Sequence, residues 1–206
     1  MRKLNLFLKR IIDILGSTFG LIFISPLLLI IALSIKFTSK GPILFQQERL
    51  GKDGKVFIIL KFRTMVVNAE RMGTGLFINP ENDSRITKVG KFLRTSSLDE
   101  LPQLWNVLIG EMSLVGPRPP VLYHPYKYEE YSDLQRKRFD MKPGISGLSQ
   151  VTVRNSVSWD ECIVYDIEYV EKFTICMDIN ILFRTLRTIT YRENIYGHSK
   201  FDNWRN

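Results

Sequence analysis

The stretch IIDILGSTFGLIFISPLLLIIALSI, residues 11–35, constrains this chain more than any other feature. It is long enough to cross hydrocarbon, for which about 20 apolar residues suffice. A cleaved secretory leader does not fit, because the apolar stretch is too long and KFTSK follows it instead of a small-residue cleavage site. A plain spanning helix meets two objections. Ser25 and Pro26 sit mid-run, where the proline removes a helical hydrogen bond and crowds the preceding turn, so a kink is expected. Arg2, Lys3, Lys9 and Arg10 precede the run and Lys36, Lys40, Arg49 and Lys52 follow it, whereas a crossing helix wants one flank depleted of positive charge. Two readings survive: a kinked single-pass helix, or a helix broken at Ser25-Pro26 that turns back within one leaflet. In both, main-chain groups freed at the break need a partner such as the Ser25 hydroxyl, because lipid supplies none. Asp13 lies near the amino-terminal end, in reach of headgroups or an arginine.

The 206 residues suit one domain of ordinary size plus this appendage. A formal charge of +8 implies an anionic partner: nucleic acid, phospholipid or a phosphate-bearing substrate. Nucleic acid is disfavoured, since the basic residues are dispersed and no helix-turn-helix, zinc-finger or aromatic-studded RNA-binding motif occurs. Cys162 and Cys176 lack CxxC spacing and read as reduced structural thiols. With only His124 and His198, a histidine-rich zinc site is excluded.

Beyond the membrane run, PILFQQERLG and KVFIILKFRTM flank Lys52-Asp53-Gly54-Lys55, a β-hairpin signal that puts Lys61 and Arg63 near a strand end. RMGTGLFINPENDSRITKVG, residues 71–90, reads as a long loop. MKPGISGLSQV, 141–151, adds a Pro-Gly turn whose N–H groups could cradle an anion. Helical periodicity covers Trp159 to Lys172 and Asp178 to Arg192. The second stretch sets Arg184, Arg187 and Arg192 around Ile179, Leu182, Phe183, Leu186 and Ile189, which suits either an anionic membrane surface or the domain core. The tail ENIYGHSKFDNWRN is polar. The resulting expectation is an α+β chain: a membrane hairpin and flank over 1–40, a small mixed cytosolic domain with a β-hairpin and partly amphipathic, interfacial helices over 41–190, and a polar tail over 191–206.

RTSSLDELPQLWNV, 94–107, carries adjacent carboxylates, Asp99 and Glu100. Leu98, Leu101, Leu104, Trp105 and Leu108 are spaced helically with Gly110 as a stop, and Pro102 is tolerated only in a first turn. Both carboxylates therefore belong at a helix amino terminus, where capping explains them as well as chemistry does. Arg94 lies just upstream, and LVGPRPP, 114–120, holds Arg118 between prolines that stiffen the chain, a preorganised fork for phosphate or an ordinary surface turn.

KFRTM, RTSSLDELPQLWNVLIGEMSLVGPRP and KPGISGLSQV, in this order behind a Ser-Pro-broken apolar hairpin, together resemble the bacterial sugar transferase family, the monotopic phosphoglycosyl transferases. The resemblance covers about residues 8 to 185 and is to the minimal catalytic form, without the extra amino-terminal membrane helices of larger members. It implies transfer of a sugar phosphate from a UDP-sugar to undecaprenyl phosphate, with loss of UMP, as the first membrane step of surface glycan or glycoprotein synthesis. It further implies that Asp99 is a covalent nucleophile partnered by Glu100, that Lys61, Arg94 and Arg118 bind phosphate, and that magnesium sits by Asp99. It favours the re-entrant reading of Ser25 and Pro26, at the cytoplasmic face of the bacterial inner membrane among its phospholipids. A homo-oligomer stays open. Where the family commonly carries Gly-Arg-Asn after Gln-Val, Val153 stands in place of the glycine, which leaves Arg154 outside the expected catalytic set. The rival readings are a membrane-tethered basic module that binds anionic lipid without catalysis, and a nucleotide-sugar hydrolase that passes the same aspartyl phosphate to water.

Overall fold

A computed structural model describes residues 2–69, 72, 83–153 and 157–191. Arg154, Arg192, most of the 71–90 loop and the tail from 192 lie outside the described residues.

The apolar run forms α1, Arg2–Thr38, and the helix continues through Pro26. The helical main chain carries through the Ser25-Pro26 step for a local reason. Proline at 26 cannot donate to the Ile22 carbonyl one turn back, and the Ser25 hydroxyl donates to that carbonyl instead at 2.8 Å. Mean hydropathy of the most apolar part of α1 is 2.5. Phe19, Ile22, Phe23, Leu29 and Ile30 are exposed on it.

Both ends of α1 rest on the same globular unit. Near the start, Lys9, Asp13 and Ser17, spaced by four and therefore on one face, are the buried residues. Lys9 Nζ donates to Asp178 Oδ2 at 2.6 Å and to the Val115 carbonyl at 2.7 Å, and Asp13 Oδ1 accepts from Ser113 Oγ and the Leu114 N–H, both at 2.9 Å. Near the end, Ile31 and Ile35 pack with Phe62 and Leu93, and the Arg63 guanidinium donates to the carbonyls of Ser39 and Lys40 just past α1.

The hairpin forms as expected. β1, Leu44–Leu50, pairs antiparallel with β2, Val56–Phe62, with Phe45 opposite Lys61. Asp53 and Gly54 make the turn with φ of 57° and 72°, the left-handed values that Asp-Gly tolerates. Phe57 and Ile59 face Val107 and Met112 inside. The 71–90 loop ends earlier than expected, because α2, Lys88–Thr95, begins with Thr87 as its cap, accepting from the Gly90 N–H at 2.9 Å. A side chain at Gly90 would place Cβ 1.9 Å from the Thr64 carbonyl oxygen, so glycine lets α2 lie directly on the strand exit.

α3, Gln103–Ile109, closes on Gly110 in the left-handed region. It leads to β3, Ser113–Val115, which pairs in parallel with β4, Gly144–Ser146. The turn read at 141–151 is therefore sheet: Gly144 N donates to the Pro117 carbonyl at 2.9 Å and Gly116 N to the Ser146 carbonyl at 2.8 Å. The Gly144 N–H is therefore taken up within the fold. A Cβ on Gly144 would fall 2.0 Å from Gly116 N. Between the strands lie α4, Asp133–Arg136, and a 3-10 turn, Lys137–Asp140. α5, Leu148–Thr152, then α6, Trp159–Lys172, and α7, Ile175–Tyr191, complete the chain. Tyr169 and Val170 of α6, Phe173 just past its end and Ile181 of α7 bury with Val115 and Met141. α7 packs on the core through buried Ile181 and leaves Ile179, Phe183 and Leu186 exposed.

Candidate active site

Asp99 and Glu100 lie in a 3-10 turn, Leu98–Glu100, entered through Ser97 at a left-handed φ of 56°. The expected position at a helix amino terminus needs correction. α3 starts two residues later with Pro102 at its cap position and no side-chain cap, because the imino ring fixes the first-turn angles without a carboxylate's help. Capping therefore does not account for either acid.

The cations converge on the pair from separate elements. Lys61, next to last in β2, puts Nζ 2.6 Å from Glu100 Oε1. Arg94, in the last turn of α2, donates from Nε to Thr64 Oγ1 at 2.7 Å and lies close enough to act on Asp99. Arg118 and Arg49 act in the same way on Glu100, and the Arg118 guanidinium sits over the Trp159 ring, 6.0 Å from its centroid. The structure thus brings together all five residues that the sequence singled out. Ser25 and Pro26, both exposed, stand apart on α1.

The two carboxylates are held in unlike states. Burial, then the charge of Glu100, raises Asp99 from 3.8 to about 6, against the pull of Lys61 and Arg94. Glu100 goes the other way: burial opposes it, but the charge and hydrogen bond of Lys61, with Arg118 and Arg49 adding, hold it below the usual glutamate value. Asp99 thus binds its proton more readily than a free aspartate, yet is mostly ionised at neutral pH. Two acids that share one site cannot both ionise easily, and the one paired with lysine keeps the charge.

The loop carrying Arg118 is unusual in its main-chain accounting. The carbonyls of Pro117, Arg118, Pro119 and Pro120 each accept a hydrogen bond, from Gly144 N, Arg138 Nη2, Arg49 Nη1 and Leu50 N at 2.8 to 3.0 Å. Three of these four residues have no N–H to satisfy. The sequence alone did not reveal Arg138 or its partner Asp166. A signal did exist, because Asp166 falls within the buried stripe Cys162, Ile163, Ile167, Tyr169 and Val170 of α6, where a charge needs a partner.

An apolar helix long enough to cross a membrane is docked on a small α+β unit that gathers an acidic pair among lysine and arginine side chains. The chain belongs to the bacterial sugar transferase family, whose model matches residues 4–192. It is 43% identical over 193 residues to a UDP-glucose:undecaprenyl-phosphate glucose-1-phosphate transferase of Klebsiella pneumoniae, covering 90% of this chain and 41% of the relative. It is 40% identical over 195 residues to the galactosyl transferase CpsE of Streptococcus agalactiae serotype III (strain NEM316), covering 90% and 42%. A protein of Caulobacter vibrioides (strain ATCC 19089 / CIP 103742 / CB 15) with the same name as the Klebsiella relative is 39% identical over 193 residues, covering 91% and 72%. The chain spans about two fifths of the length of the first two of these relatives.

Proposed function

We propose that this chain is a phosphoglycosyl transferase that moves a sugar phosphate from a UDP-sugar to undecaprenyl phosphate through a covalent intermediate on Asp99. The observation that carries the reading is the convergence of Lys61, Arg94 and Arg118 on an acidic pair whose two members differ in proton affinity.

The chemistry follows from the geometry. An oxygen of ionised Asp99 attacks the phosphorus that bears the sugar, the bond from that phosphorus to the bridging oxygen breaks, and UMP leaves. An oxygen of undecaprenyl phosphate then attacks the same phosphorus and Asp99 departs as carboxylate, so the difficult exchange is split into two displacements. An anion attacking an anion needs charge compensation, which arginine forks and a lysine at fixed positions supply without reorganising. The residual negative charge of Glu100 is already balanced by Lys61. The raised affinity of Asp99 for its proton marks a poorly solvated, more nucleophilic carboxylate, at the cost of a smaller ionised fraction below pH 6.

Among the described residues no cluster of three metal-ligating side chains occurs. Magnesium is usually held by one or two carboxylates together with substrate phosphates. Asp99 would hold it, with Glu100 adjacent, and when bound it would supply positive charge that offsets carboxylate–diphosphate repulsion. The cations already present lower the repulsion, and the approach of a further one lowers the proton affinity of Asp99.

The membrane reading is re-entrant, at the cytoplasmic face of the inner membrane. Its support is that Lys9 near one end of α1 and Ile35 near the other both pack on the same domain, while the residues around Ser25-Pro26 expose apolar side chains. A helix with both ends on one domain delivers neither to the far leaflet. Such an arrangement sets the acid pair where a soluble donor meets a lipid-borne phosphate.

The test is incubation with labelled UDP-glucose, UDP-galactose or UDP-N-acetylgalactosamine, magnesium and undecaprenyl phosphate in detergent. UMP release with sugar phosphate trapped on Asp99 in the absence of acceptor is the expected result. Free sugar phosphate would instead mean hydrolysis, and no turnover of any nucleotide sugar would leave a lipid-binding module.

A further inference from the structure

Between Pro117 and Pro119, Arg118 alone owns a main-chain N–H. The carbonyl of Arg118 accepts from Arg138 Nη2 at 2.8 Å, and the Arg118 main chain lies close enough to lower the proton affinity of Asp166. The same Arg138 nitrogen meets Asp166 Oδ2 at 2.5 Å, so one guanidinium nitrogen ties the Asp166 carboxylate to the Arg118 carbonyl. Ser149 Oγ donates to the other oxygen of Asp166 at 2.9 Å, which stops the carboxylate from rotating. Arg138 is 1% exposed and Asp166 0%, and the Arg138 guanidinium packs by the rings of Phe139 and Tyr131, 5.4 and 6.0 Å from their centroids.

Stability is a poor reason to bury such a pair, because removing two charges from water offsets most of their attraction and an apolar pair of equal volume does as well. What the pair supplies is geometry. Its hydrogen bonds grip a single residue, and that residue carries one of the cations facing the acidic pair.

We propose that Arg138, Asp166 and Ser149 are positioning residues that hold the Arg118 main chain so that its guanidinium meets the donor diphosphate already aligned. The proposal rests on the reading of Arg118 as a phosphate ligand. Neighbouring carbonyls are held by β1 and β4, so loss of the clamp frees residue 118 itself and leaves the rest of the loop in place. A long side chain on a fixed main chain gives up less freedom on binding, and that saving appears as affinity.

UDP carries the diphosphate common to UDP-sugars, so its affinity for the full chain in detergent with magnesium, by calorimetry, reads the clamp directly. The variants are Arg118→Ala, Asp166→Asn, Ser149→Ala and each of the latter two combined with the first, with melting temperatures alongside. Asp166→Asn is expected to weaken UDP binding about tenfold and Ser149→Ala about threefold, in the range of hydrogen bonds to charged groups. Neither should weaken it further once Arg118 is alanine, because residues acting through one side chain are not additive. Losses that multiply in the Arg118→Ala background overturn the proposal, as does wild-type affinity in both clamp variants while Arg118→Ala binds poorly. If Asp166→Asn does not fold, Ser149→Ala, which removes one hydroxyl, completes the same cycle. Undiminished UDP binding by Arg118→Ala overturns the premise, and is told apart from failure of the clamp by that single variant.

Discussion

The turn bearing Asp99 and the loop bearing Arg118 face each other across the site and are built on opposite principles. The turn keeps its groups in electrostatic tension: a left-handed Ser97 leads in, neither acid caps a helix, and one acid holds its proton because the other does not. In the loop, four consecutive carbonyls have donors and three residues lack an N–H altogether. The lesson is a division of labour, in which the group proposed to react is left under strain of charge and the group proposed to bind phosphate is fixed in place.

The contrast breaks most sharply at Asp99, the proposed nucleophile. Asp99→Asn should reduce turnover by about 10⁴-fold or more, measured as UMP release. The same substitution should not unfold the chain. Between pH 3.8, where an unfolded aspartate ionises, and about 6, where Asp99 does so in the fold, the native state retains the extra proton. Stability therefore falls as pH rises through that window, and Asn removes the fall. Above it the variant should be more stable by about 1 kcal/mol, after allowance for solvent screening, in denaturant titrations.

On the loop side the sensitive point is steric. Gly144→Ala would press a methyl group against Gly116 N, with no flexible side chain to yield. A loss of about 2–3 kcal/mol in the same titrations is expected, since main chain must move. Milder changes tune the turn. Lys61→Met removes the cation that lowers both acids, so the rising limb of kcat/KM against pH should move upward from about 6. Glu100→Gln removes the neighbour that raises Asp99, and the limb should move to lower pH by about one unit or less. Two shifts of the same sign would show that the acids do not share one field.

Local features were legible and tertiary ones were not. Asp53-Gly54 announced the hairpin, and the periodicity of Trp159 to Lys172 gave α6 with its ends, because turn angles and helical spacing are written in neighbouring residues. The carboxylates and their cations were also named from local motifs and family resemblance. The pairing of β3 with β4 was hidden, since three-residue strands show no alternation and their partners lie some thirty positions apart. The raised proton affinity of Asp99 was hidden for a similar reason. Helix-end chemistry is local, but desolvation is produced by whatever the rest of the fold lays over a residue. At Ser25-Pro26 the sequence contained the remedy for the missing hydrogen bond, and the remedy proved good enough to keep the helix whole.

The stripe of Lys9, Asp13 and Ser17 has a mechanical consequence. Because that face of the greasy helix is bolted to Ser113, Val115 and Asp178, the anchor behaves less like a mooring rope than like a keel. On the proposed membrane reading, bilayer depth and tilt are passed straight to the strand that ends two residues before Pro117. Altering membrane thickness should then change turnover with a lipid-borne acceptor, with no residue touched.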